Sequence, residues 1–379
     1  LRIAFHTPLN ALDDGGVSGD RRMARQLATA LETLGHIVEP VAAERTYLRQ
    51  ANADSFAAQQ RDAAIRREHL LAAYRAGRPR PDLWFTYHNY YRAPDLLGPD
   101  IAEALGIPYV TAESSDAARR CQDEWAVQSA AARRALAAGD VHFYFTDRDR
   151  QGLEPWRRPG TDLVALPPFV DLPAIPAGRA GTTGATRLIT VAMMRDGAKR
   201  SSYLALARIL GRLRDDNWQL SIVGDGPLRA EVEAAFAGLP AERLTWHGRL
   251  DHAAALEELA AHDVFVWPGV GEAYGLVYLE AQAAGLPVVA FDSGGVAATV
   301  RAGETALLVP EHDEEAFAAA LASLLRDPQL RARMGAAARR FILAERTIAR
   351  AAERLADGLA RACRNRAGKL QPAVTETAR

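Results

Sequence analysis

The sequence predicts an α/β protein built from two Rossmann-like βαβ domains that face each other across a cleft. Three observations carry that expectation. Short apolar runs alternate with long Ala/Arg/Leu/Glu-rich segments of helical period, the pattern of parallel sheets flanked by helices. The alternation is interrupted once, between residues 161 and 186, by a stretch rich in proline and then in Gly, Ala and Thr. Finally, 379 residues, 49% hydrophobic and 25% charged, suffice for each half to bury a core of its own.

Taken in order, residues 3–6, 36–41, 83–86, 109–112 and 141–145 read as the strands of the first half, with helices over 21–34, 54–76, 99–105 and 117–138. Each apolar run is short and helix-flanked, as strands buried on both faces should be. The proline-rich string Leu166-Pro167-Pro168-Phe169-Val170-Asp171-Leu172-Pro173 lies within the break; the first domain is placed at 1–170 and a linker at 171–185. The second half reads as strands over 188–192, 219–223, 244–246, 264–267, 287–290 and 306–309. Helices lie over 202–214, 228–236, 253–261, 276–284 and 314–325, giving a domain of 186–341. A helix-rich stretch from 331 to 362 and a frayed tail from 366 to 379 complete the chain.

A formal net charge of −1 gives no reason to expect nucleic acid as a partner. Two cysteines, Cys121 and Cys363, form neither a disulfide framework nor a metal-ligand spacing, which suits a reducing compartment. No apolar run approaches the ~20 residues that span a bilayer, and the opening residues read as a strand and not as a leader. The expected location is therefore the cytoplasm. No Gly-x-Gly-x-x-Gly follows a strand with an acidic residue at the right distance, which disfavours a nicotinamide dehydrogenase.

Ligands of such sheets bind beyond the carboxyl ends of the strands, so chemistry is sought in the loops there. The most informative one is Gly271-Glu272-Ala273-Tyr274-Gly275-Leu276-Val277-Tyr278-Leu279-Glu280, continued by Ala281-Gln282-Ala283-Ala284-Gly285-Leu286-Pro287-Val288-Val289-Ala290. A helix starting near Gly275 offers the N–H groups of Leu276 and Val277 as orphan donors, a cradle for a diphosphate. Glu272 precedes that helix and Glu280 lies between one and two turns inside it, so two carboxylates can accept from hydroxyls on either side.

This segment resembles the glutamate–seven residues–glutamate motif of glycosyltransferase family 4, retaining, nucleotide-sugar-dependent enzymes of GT-B fold. The resemblance implies that Glu272 holds the donor sugar, that Gly275 and Leu276 meet phosphate, and that Glu280 holds the ribose. It is specific over the second domain and architectural over the first, and it implies that a terminal helix at 342–365 crosses back to the first domain. In the loop at 191–200 the family keeps a basic pair. Met193 stands where the arginine often does, so Arg195 and Lys199 are assigned to the pair, with Arg200 as substitute. Gly224 and Gly226 match a tight turn near the nucleotide, Arg249 follows a strand where the family places the base, and Asp292-Ser293-Gly294-Gly295 matches a turn lining the donor. Gly15 and Gly16 match a glycine pair facing the donor phosphates.

Glu113 occupies the position at which the family frequently carries a histidine near the reacting sugar. The aromatic run Tyr87-His88-Asn89-Tyr90-Tyr91 suits either an acceptor or plain packing. Arginines 61, 66, 67, 75, 78 and 80 are read first as a solvated face; the resemblance also allows contact with the inner face of a membrane. The expected reaction is transfer of a hexose-type sugar, by front-face substitution and without a metal or cofactor, from a UDP- or GDP-linked donor. The acceptor is left open between glycan, lipid-linked and small molecule. The alternatives are a nucleotide-sugar epimerase or hydrolase of the same fold, and a non-catalytic nucleotide-sugar binding protein.

Overall fold

The computed structural model describes residues 1–10, 18–43, 45–172 and 184–370. The chain divides into two compact units: Leu1–Pro167 with the chain from Ile348 onward, and Pro168–Thr347.

The first unit is a six-stranded parallel sheet. Its strands are β1 (Arg2–His6), β2 (Ile37–Pro40), β3 (Leu83–Tyr87), β4 (Tyr109–Ala112), β5 (Val141–Tyr144) and β6 (Asp162–Ala165), in the order β2-β1-β3-β4-β5-β6. Helices α1 (Gly19–Thr33), α2 (Ala53–Arg75), α3 (Gly98–Leu105), α4 (Ala126–Ala138) and α5 (Asp147–Leu153) connect them. Strand β3, Leu-Trp-Phe-Thr-Tyr, is buried along its whole length because bulky aromatic residues fill both faces of a central strand. Each such side chain contributes ~1.5–3 kcal/mol on burial.

The buried carboxylate of Asp95 accepts from Thr86 Oγ1 (2.5 Å), the Tyr109 hydroxyl (2.9 Å) and the N–H groups of Leu97 and Gly98 (2.9 and 2.8 Å). His6 Nδ1 lies 3.1 Å from its other face. Burial alone would raise the Asp95 pKa, but His6 and these hydrogen bonds hold it well below the usual carboxylate range.

The second unit repeats the plan with β7 (Thr186–Val191), β8 (Trp218–Val223), β9 (Leu244–Gly248), β10 (Val264–Val266), β11 (Val288–Asp292) and β12 (Ala306–Pro310), in the order β12-β11-β10-β7-β8-β9, all parallel. Its helices are α6 (Ala198–Gly211), α7 (Arg229–Phe236), α8 (His252–Ala260), α9 (Leu276–Ala283), α10 (Glu314–Arg326) and α11 (Pro328–Glu345). The terminal helix α12 (Ile348–Leu370) belongs to the first unit and packs on α1. Its Gly358 lies so close to Phe143 that a methyl group there would fall 2.1 Å from Cζ. Asn365 donates to the carbonyl of Asp140 (3.0 Å), and Lys369 Nζ lies 2.8 Å from the Asp140 carboxylate.

Three local expectations are corrected. Residues 162–165, read as part of the break, form β6 at the sheet edge; a four-residue strand running straight into Leu166-Pro167-Pro168 has little pattern of its own. The helix expected over 117–138 is a short 3-10 turn at Ala118–Cys121 followed by α4, with Trp125 between them turning the chain. Residues 366–370, read as frayed tail, continue α12, where Arg366 and Lys369 bond to carbonyls of Ala102 and Gly139. Residues 173–183 of the expected linker and 371–379 of the expected tail lie outside the described residues. Among the described residues no helix is long and apolar enough to cross a membrane.

Candidate functional site

Strand order locates the place in each sheet where neighbouring connections leave in opposite directions, and loops part there to make room for a ligand. In the second unit that switch lies between β7 and β10. The loop after β7 leads into α6, whose second residue is Lys199; the loop after β10 leads into α9 and carries Glu272. The two side chains meet in an ion pair, both partly shielded from solvent, and Lys199 Nζ also lies 5.6 Å above the Trp267 ring. A cation suited to phosphate and a carboxylate suited to hydroxyls thus share one contact.

The neighbouring helix start is open. Gly275 is the N-cap of α9 with φ 79°, it offers no side chain, and the N–H groups of Leu276 and Val277 find no acceptor among the described residues. These groups and the helix dipole together favour an anion. Glu280, in the second turn, is buried, and its Oε1 lies 3.3 Å from Nε2 of His252 at the start of α8.

The Glu272 loop is held from several sides. Glu272 N–H donates to Gly269 O (3.1 Å), and its own carbonyl accepts from Gly295 N–H (3.0 Å). Gly271 N–H donates to Ser293 Oγ (2.8 Å), whose hydroxyl donates to Glu311 Oε1 at 2.5 Å. The Ser293 hydroxyl, with help from the Gly271 N–H and His312, keeps the Glu311 pKa below the ordinary glutamate value. Glu311 lies 40 residues from Gly271 in the chain, so no local motif could have pointed to it.

The remaining assigned residues of this unit fall as follows. Arg195 is exposed in the β7–α6 loop, and its side chain forms no ion pair among the described residues. Arg200 is turned to Glu231, its Nε donating to Glu231 Oε1 at 2.6 Å. Gly224 follows β8 with φ 145°, and a Cβ there would sit 1.9 Å from the Ala192 carbonyl, so only glycine lets the β8 loop lie against the β7 loop. Arg249 is exposed just beyond β9. His247 contacts Ser221 Oγ at 3.2 Å within the sheet.

In the first unit the switch lies between β1 and β3. Gly15 and Gly16, in the loop after β1, lie outside the described residues. Around the carboxyl ends of β3 and β4 stands a cluster of titratable groups. Glu113 Oε2 accepts from the Tyr87 hydroxyl at 2.8 Å and lies 3.9 Å from His88 Nε2, which is 3.6 Å from Asp20 Oδ1 at the start of α1. Burial pushes the Glu113 carboxyl up to about 7; Asp20 and Asp149 add to the rise, while His88 and the Tyr87 hydroxyl oppose it. For His88 burial works against the charged form, but Glu113, Asp20 and Asp149 outweigh it and raise its pKa above the ordinary histidine value.

Elsewhere in the first unit a cavity of about 570 Å³ opens beside His6, Arg45, Thr46, Gln59, Arg66 and Leu97. Of the residues singled out from the sequence, Arg66 of the basic face lines it, and none of those assigned to donor or catalysis does. Among the described residues no group of three or more His, Cys, Asp or Glu is placed to hold a metal ion.

Residues 185–327 match the model of a family described as glycosyl transferases group 1. The chain is 28% identical to a D-inositol 3-phosphate glycosyltransferase of Pseudarthrobacter chlorophenolicus over 89% of both chains. It is 34% identical to a GDP-mannose-dependent alpha-(1-6)-phosphatidylinositol monomannoside mannosyltransferase of Mycobacterium tuberculosis, over 60% of this chain and 63% of that one. Among solved structures, HepE of Anabaena in complex with UDP superposes with a TM-score of 0.70 at 15% identity, covering 95% of this chain and 100% of that one. A sucrose-phosphate synthase of Thermosynechococcus elongatus gives 0.69 at 20%, covering 94% and 98%. At these identities the structural likeness speaks for the fold.

Proposed function

We propose that this chain, a glycosyltransferase of GT-B fold whose residues 185–327 form a group 1 glycosyl transferase domain, moves a hexose-type sugar from a nucleoside-diphosphate donor to an acceptor hydroxyl with retention at the anomeric carbon. The observation that carries this reading is the Lys199–Glu272 ion pair beside the open start of α9, at the switch point of the second sheet. A diphosphate entering there draws Lys199 and Arg195 to itself and lies against the Leu276 and Val277 N–H groups. Glu272, released from its lysine, accepts from the donor sugar's hydroxyls, and Glu280 from the ribose.

The largest charge to develop is on the departing diphosphate, where the cations it has drawn in and the helix start stabilise it. Front-face substitution then follows: the acceptor oxygen bonds to the anomeric carbon on the side from which the diphosphate leaves. The bond to the diphosphate breaks with its electrons, and a phosphate oxygen takes the acceptor's proton. Glu113 stabilises the positive charge on the sugar ring. None of these steps draws on a metal. That the relatives named above act on inositol-containing acceptors, one with GDP-mannose, makes such donors and acceptors the first to try.

The test is Glu272→Ala. A carboxylate accepting two sugar hydroxyls contributes ~1.5–3 kcal/mol per bond, so transfer should fall by ~10²–10⁴-fold while the melting temperature barely moves, exposed ion pairs contributing ~0–1 kcal/mol. Full transfer by folded E272A rejects the assignment. Product analysis with and without acceptor separates transfer from hydrolysis and epimerisation, and a nucleotide-sugar panel read by thermal shift identifies the donor.

A further inference from the structure

We infer that His88 is a positioning residue for the transfer reaction: its imidazole, 3.9 Å from the Glu113 carboxylate, sets through its charge the fraction of molecules in which that carboxylate is charged. The inference rests on the reading that Glu113 serves the reacting sugar.

Geometry carries it first. Only three non-glycine residues with positive φ occur among the described residues, and two of them are His88 (65°) and Glu113 (52°). Left-handed backbone at a residue with a side chain costs ~1–3 kcal/mol and persists only where its surroundings impose it. Here they do: His88 N–H donates to the Ala112 carbonyl and Glu113 N–H to the Phe143 carbonyl, both at 3.0 Å. Each residue is thereby fixed at the end of a buried strand, β3 for His88 and β4 for Glu113. With these backbones His88 Nε2 and Glu113 Oε2 lie 3.9 Å apart.

The groups around the pair set which way it leans. Facing it are Asp20 of α1, Asp149 of α5, the Tyr87 hydroxyl of β3 and the ring of Tyr90. Three carboxylates around one imidazole favour its protonated form, and the imidazolium in turn favours an ionised Glu113. A neutral Glu113 cannot balance positive charge on a sugar, so transfer should follow its ionisation. With that carboxyl held at about 7, a modest change in its neighbours moves the enzyme across its working range.

The experiment is the pH profile of transfer by the full chain at saturating donor, together with the imidazole NMR titration of His88, identified by its loss in His88→Gln. Wild-type transfer should rise with pH through about 7. In H88Q the cation that favours ionised Glu113 is gone, so the midpoint should move up by ~1 unit or more. His88→Asn removes the same cation with a side chain that tolerates the left-handed backbone and should move the midpoint the same way; it serves where H88Q does not fold. In Glu113→Gln transfer should drop and the His88 resonance should titrate at lower pH than in wild type. A slow E113Q whose His88 titrates as in wild type, or an H88Q or H88N midpoint that does not move, rejects the inference alone. Wild-type transfer by E113Q rejects the reading on which it rests.

Discussion

Gly294→Ala places a single methyl group where the Glu272 loop is held. Gly294 has φ 57°, and a Cβ built on it falls 1.9 Å from the carbonyl oxygen of Glu272. Carbon and oxygen do not approach within ~3 Å, so the Glu272 backbone must retreat by about 1 Å. The hydrogen bond from Gly295 N–H to that carbonyl, 3.0 Å long, is strained with it. Left-handed backbone costs alanine ~1–2 kcal/mol and the hydrogen bond ~1 kcal/mol, so stability should fall by roughly 2–3 kcal/mol. The effect on rate is larger, because displacing a positioning group by ~1 Å costs up to ~10²-fold. Gly303→Ala is the control: φ is 78° but nothing lies within 4 Å, so it incurs the backbone cost without the collision. The assay is initial transfer rate beside thermal unfolding for both variants. A folded G294A that transfers at the wild-type rate, and is no less stable than G303A, refutes the claim that this turn sets the position of Glu272.

Two further outcomes are expected. Lys199→Ala should weaken nucleoside-diphosphate binding by ~10–100-fold, the contribution of one charge-assisted contact, whereas Arg200→Ala, whose guanidinium is held by Glu231, should leave affinity within about two-fold on the same scale; titration calorimetry measures both. His142 is buried between Thr111 and the Leu136 carbonyl, and burial lowers its pKa to about 4 from the ordinary 6.5. Its contribution is therefore complete above 6.5 and is lost as the pH falls towards 4, on the order of 3 kcal/mol; His142→Asn should flatten that part of the unfolding free energy measured by urea denaturation at pH 4 to 7.

Residues near in sequence spoke for themselves. Period and apolar runs marked most strands and helices, because parallel strands buried on both faces must be continuous in hydrophobicity and their crossover helices amphipathic. Gly275 before a helix and the two glutamates around it were legible for the same reason: a helix start is a local event. The strand β6 was not legible, since its four residues gain definition only from pairing with β5.

What tertiary structure decided concerns contacts across the fold. Lys199 and Glu272 are 73 residues apart and meet because β7 and β10 are neighbours in the sheet, an order no local pattern encodes. The same packing gave Arg200 to Glu231 and bound Glu311, through Ser293, to the loop that carries Glu272. His88 lies in an aromatic run that suited packing as readily as an acceptor, and Glu113 stood out only by its position. Their reversed backbones and the carboxylates of Asp20 and Asp149 beside them depend on where α1 and α5 meet the sheet. Charge and strain are sums over neighbours in space, whereas a sequence orders neighbours only along the chain.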